Sequence, residues 1–121
     1  MTAGEALYGF FSGFGIPAYP NTEVPEDAVF PFLTYSMSMG AWGQTVSLTV
    51  QLWYHTQSEA EPTAKAMEIH DAIGLGGKQL GCDRGSIWLR MGNPWCLILA
   101  QENDKTVKLR QMNIDATWHT L

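Results

Sequence analysis

Eleven residues, Thr45 to His55, constrain this chain more than any others. Val46, Leu48, Val50, Leu52 and Tyr54 fall on one side of an extended backbone, and Thr45, Ser47, Thr49 and Gln51 on the other. Period-two alternation of that length predicts a strand with one apolar face, and such a face must be covered by a second layer. The run before it alternates too. Leu33, Tyr35, Met37 and Met39 oppose Thr34, Ser36 and Ser38, and Gly40-Ala41-Trp42-Gly43 links the two runs, so the pair reads as a β-hairpin. The polar side of this hairpin carries almost no charge. That suits an ordinary solvated sheet face, and equally a face that becomes covered in an assembly.

Two segments can supply the covering layer. Thr2 and Glu5 have capping-box spacing, and Leu7, Phe10, Phe11 and Phe14 then share one helical face before Gly13, Gly15 and Pro17 end the helix. Ser58 and Glu61 repeat the capping-box spacing ahead of a helix running to about Ile73, although Pro62 offers a competing start. Ala66, Ile69 and Ile73 form its inner stripe, Lys65, Glu68 and Asp71 point outward, and Gly74 is the stop. Residues 18–31, with the turn signatures Tyr19-Pro20-Asn21 and Pro25-Glu26-Asp27, read as a long loop.

The remainder reads as strands over Lys78–Cys82, Ser86–Met91, Trp95–Ala100 and Val107–Trp118. Asp83-Arg84-Gly85, Gly92-Asn93-Pro94 and Glu102-Asn103-Asp104 are the turns between them. Trp95–Ala100 is apolar on both faces, which predicts a central strand or cover on both sides. In the last strand Val107 and Leu109 share one parity, whereas Met112, Ile114, Ala116 and Trp118 share the other. A bulge near Leu109–Gln111 would reconcile them. Together these elements predict one α+β domain over residues 1–121, a mixed, mainly antiparallel sheet with two helices packed on it.

Composition narrows the function classes. The net charge is −5, and apart from Lys105, Lys108 and Arg110 the basic residues are scattered, which argues against a phosphate-binding face. That short basic cluster reads as a solvated strand end. Cys82 and Cys96 lack ligand spacing and read as reduced, partly buried thiols. The N-terminal residues lack the basic start and apolar run of an export signal, and no apolar stretch approaches the roughly 20 residues of a membrane span.

Gly74-Leu75-Gly76-Gly77-Lys78 fails as a phosphate loop, because Ile73 and Gln79 stand where Gly and Ser or Thr are needed. His55, His70 and His119 are far apart, and Asp115 and His119 lie about 13 Å apart along a strand. The residues thus offer no catalytic group, metal site or cofactor site. Spare aromatics suit contacts between proteins, which singles out Tyr19, Trp42, Trp53, Trp88 and Trp95.

Several stretches resemble small tail-terminator, or tail-completion, proteins of long-tailed phages and prophages. They are Phe14-Gly15-Ile16-Pro17-Ala18-Tyr19, Val24-Pro25, Phe30-Pro31-Phe32-Leu33-Thr34-Tyr35, Trp42-Gly43, Leu48 through Tyr54, Ala72-Ile73-Gly74, Gly76-Gly77-Lys78, Gly85 through Leu89, and Asn93-Pro94. The likeness runs from about Leu7 to Trp118. It implies a subunit that closes into a ring, commonly a hexamer, capping the tail tube and meeting the head connector. The partners it implies are other copies, the tube protein and the connector, with no specific nucleic-acid or membrane binding. Host cytoplasm during assembly, and then the virion tail, are the implied locations. It carries over no catalytic residue. The surfaces it points to are the Tyr19–Pro31 loop, the hairpin around Trp42 and the Gly74–Gly77 turn, which adds Gly76 and Gly77 to the candidate assembly contacts. The acidic balance suits DNA passing through such a ring. Another neck or tail-tube component, or a small α+β ligand-binding protein or enzyme, are the alternative readings.

Overall fold

The computed structural model describes residues 1–36, 43–100 and 106–120. Trp42, Met37 and Met39 of the expected hairpin, and the expected turn at Glu102–Asp104, lie outside the described residues. Helix α1 spans Ala3–Phe11 and runs into a short 3-10 turn, Ser12–Phe14. Strand β1 is Ala18–Pro20, β2 is Phe32–Tyr35, β3 is Thr45–His55, and α2 is Ala60–Ile73. Strands β4 (Lys78–Cys82), β5 (Gly85–Ala100) and β6 (Val107–Thr120) complete the α+β chain. The strands form one six-stranded sheet in the order β1-β2-β3-β6-β5-β4. Only β1 and β2 run parallel within it.

Both helices pack on the same sheet face. Leu7 and Phe11 of α1 and Ala66, Ile69 and Ile73 of α2 share one buried cluster with Leu33, Tyr35, Leu48, Val50, Leu52, Ile87, Leu89, Met112 and Ile114. Each fully buried Leu, Ile or Phe in that cluster contributes roughly 1.5–3 kcal/mol. The Thr2 hydroxyl accepts from Glu5 N at 3.1 Å, and Glu5 Oε1 accepts from Thr2 N at 3.3 Å, so α1 opens on the expected capping box. Phe10 and Phe14 are only partly buried, their rings edge-to-face with centroids 5.3 Å apart at the margin of the core.

Several expectations need correction. The 18–31 stretch is not wholly loop, because Ala18–Pro20 pairs in parallel with Leu33–Tyr35. The second helix has no capping box. It begins at Ala60, Glu59 occupies the cap without a side-chain cap bond, and Ser58 Oγ accepts from Ala60 N at 3.0 Å. Pro62 sits in the first turn, where its missing N–H has no helical acceptor to lose.

Gly92-Asn93-Pro94 does not separate two strands, since both halves of β5 pair with β6. Met91 pairs with Ile114 and Cys96 with Met112, which leaves Gly92, Asn93, Pro94 and Trp95 facing Asn113 alone. Asn113 Nδ2 donates to Pro94 O at 2.9 Å and pins this bulge, and a side chain at Gly92 would lie 3.0 Å from Asn113 O. The irregularity therefore belongs to β5, while β6 runs unbroken against β3 from Val107 to Thr117. The predicted bulge at Leu109–Gln111 is absent.

Candidate assembly surface

The parity change in β6 has a different cause from a bulge. Leu109 stands on the sheet face opposite the helices and belongs to a transverse row. Phe32 pairs with Trp53, Trp53 with Leu109, and Leu109 with Leu99, across β2, β3, β6 and β5. Phe32 and Leu109 are buried, yet neither belongs to the core beneath the helices. They form a second apolar cluster on the helix-free face.

Aromatic rings extend that row at the β1 side. Phe32 stacks on Trp53 with centroids 6.1 Å apart, Phe30 lies 5.4 Å from Phe32 and Tyr19 6.0 Å from it, and His55 lies 5.7 Å from Phe30. Trp53 Nε1 donates to Thr34 Oγ1 at 3.1 Å, so the indole is held flat along the face. Further up the same face run uncharged polar pairs. Gln51 Nε2 donates to Gln111 Oε1 at 3.5 Å, and the Thr45 and Thr117 hydroxyls lie 2.8 Å apart.

The far end of the row meets a free edge. Strand β4 pairs with Gly85–Leu89 and stops there. Among the described residues nothing pairs with the outer side of Cys96–Ala100. The bulge adds three residues on β5, an odd number, so inside and outside exchange along the strand. Leu97 and Leu99 therefore join the helix-free face, while Cys96 and Ile98 take the other. Leu97 is 37% exposed and Ile98 71% exposed. The expectation that this apolar segment is central or covered on both sides is wrong: β4 is too short to pair with it, and Leu97 and Ile98, on opposite faces, are both exposed. An apolar edge strand without charge is a template for pairing with another chain.

At the same level the helix-facing side is polar. Arg110 pairs with Ile98 across the strands and is only 2% exposed. Its Nη2 donates to Glu59 Oε2 and, at 3.0 Å, to Thr63 Oγ1, and Lys108 Nζ lies 3.5 Å from Glu59 Oε1. The Arg110 hydrogen bond is the main influence holding the Glu59 carboxyl below its ordinary range. Arg110 and Lys108 are thus not a solvated strand end, and Lys105 lies outside the described residues. Arg110 also lines a recess of about 270 Å³ with Thr63, Met67, Trp95, Cys96 and Ile98. Burial pushes the Cys96 thiol upward, and the Arg110 charge pulls it the other way. Cys82 and Cys96 are both free and partly buried.

The residues singled out from the sequence divide into three places. Tyr19 and Trp53 belong to the aromatic end of the apolar row. Trp88 lies at the β4 side, where its Nε1 donates to Gly76 O at 3.1 Å and Arg90 stacks 4.3 Å over its ring. Gly77, at φ +87°, packs so close to Trp88 that a Cβ there would collide with the indole and approach Leu89 O to 2.7 Å. Gly76 and Gly77 thus shape this corner from within. Trp95 turns to the helix face, 4.5 Å from the His70 ring. Trp42 lies outside the described residues. Sequence reasoning missed Phe30, Phe32, Leu97, Leu99 and Leu109; the parity change at Leu109 was their signal.

The histidines do not converge, since His55, His70 and His119 lie against Phe30, Trp95 and Trp88 respectively. Two other recesses, of about 350 and 630 Å³, contain neither these histidines nor Asp115. No group of His, Cys, Asp or Glu among the described residues is arranged to hold a metal ion, and no helix among them is long and apolar enough to cross a membrane. Compared with known proteins, the chain matches no family model, no curated protein and no solved structure.

Proposed function

We propose that this chain is a virion structural protein of a long-tailed phage or prophage, a tail terminator that closes into a ring on the end of the tail tube and joins it to the head connector. The observation that carries the assembly part of this reading is the free apolar edge at Cys96–Ala100, continuous with the Phe32–Trp53–Leu109–Leu99 row. Backbone pairing along such an edge joins subunits, and the row supplies apolar area beside it. The Gln51–Gln111 pair next to the row can be covered without burying a charge. The tail assignment rests on the sequence resemblance, and another neck or tube component would use the same surface.

Electron microscopy of the purified chain, alone and mixed with tail tubes that lack a terminator, tests the reading. Rings with an open centre, seated on tube ends in the mixture, are expected. Particles without a ring that leave the tube ends bare would overturn it.

A further inference from the structure

We infer that the recess between α2 and the outer half of β5 is a binding site for a carboxylate on a short apolar stem, anchored by Arg110. The guanidinium is almost wholly buried and only partly used. Nη2 serves Glu59 and Thr63, whereas Nη1 is buried with no hydrogen-bond partner in the protein. A buried charged donor left unmatched is costly, and natural structures rarely keep one without a reason. Arg110 forms part of the recess wall, so an acceptor seated in the recess lies against its side chain.

The surroundings select the ligand. A carboxylate suits the free Nη1 better than a neutral acceptor does, because a bond from the guanidinium to an anion is charge-assisted. Glu59 occupies the Nη2 side and is half exposed, so solvent screens it from a second anion. The remaining walls, Met67, Trp95, Cys96 and Ile98, are apolar or weakly polar and call for an apolar stem. About 270 Å³ is below the usual range for drug-sized ligands, and fits one acidic side chain or a short free acid. The site stands whether or not the chain forms a ring.

The chain has three arginines, Arg84, Arg90 and Arg110, so their guanidinium signals in ¹⁵N NMR are easily told apart. Titrating the whole chain with phenylacetate should shift the Arg110 signal saturably, with a dissociation constant on the order of 1 mM. Phenylacetamide, which lacks the charge, should bind about tenfold more weakly. Ile98→Glu places a carboxylate on the strand position paired with Arg110, and should abolish the titration, whereas Ile98→Ala should keep it. No saturable shift in the wild type, or an unchanged titration in Ile98→Glu, would overturn the site.

Light scattering of the wild type with saturating phenylacetate then names the source. A fall in assembly mass identifies an acidic side chain of a second copy, and an unchanged mass identifies a free acid; both results support the site.

Discussion

Glu59 and Arg110 meet between the N-terminus of α2 and the sheet, and their unequal burial makes them unequal in effect. Removing the carboxylate strands a buried cation, so Glu59→Ala should cost about 2 kcal/mol in urea unfolding, less than for a fully buried pair because Glu59 is half exposed. Arg110→Met removes the buried charge itself and leaves Glu59 near water, so it should cost less than about 1 kcal/mol. The same pair sets a pH dependence. Because the folded Glu59 pKa is depressed, its contribution is fully present above the ordinary value of 4.5 and is lost as pH falls from there through the folded pKa. The stability gap between wild type and Glu59→Gln should therefore be constant near neutral pH and close on acidification below 4.5. A gap that widens in acid would refute this placement.

Single elements depend on backbone features that side-chain patterns express unevenly. The Gly77 turn combines a positive φ with the Trp88 indole against its Cα, so Gly77→Ala should destabilise by more than about 1 kcal/mol. Gly76→Ala, with open space around it, should stay within about 0.5 kcal/mol on the same denaturation curves. The contrast shows what was legible from residues alone. Strand β3, the Thr2–Glu5 cap and the Ala66–Ile69–Ile73 stripe were readable, because periodicity and capping are local. The β1 pairing was hidden, since three residues are too few to show a period.

The bulge was misplaced for a related reason. Gly92-Asn93-Pro94 carries the residue types of a turn, and only the register with β6 shows that the chain continues in the same strand. The apolar parity change at Leu109 is visible in the sequence, but parity alone does not tell a backbone bulge from an exchange of apolar faces, which is what it marks. The burial of Arg110 is likewise hidden in the sequence, because its partner, Glu59, is remote and no short-range spacing connects them.

Over the whole molecule, two apolar layers share one sheet. The larger lies under both helices. The smaller crosses the helix-free face from Tyr19 and Phe30 to Leu99 and ends at a strand edge that β4 leaves free. Pairing that edge and covering that row lowers the free energy of a chain with this layout, and in the proposed ring a second copy does both. A lysine at Leu97 should block this without harming the fold, since the side chain is partly exposed and outside the main core. Its unfolding midpoint, measured at concentrations where the wild type is dissociated, should stay close to that of the wild type.

The most direct measurement is the solution mass by light scattering, over a wide concentration range, for the wild type and Leu97→Lys. A closed oligomer for the wild type, and a folded species of much lower mass for Leu97→Lys, is the predicted result. A wild type that remains monomeric at every concentration, or a Leu97→Lys oligomer of unchanged mass, would contradict the account.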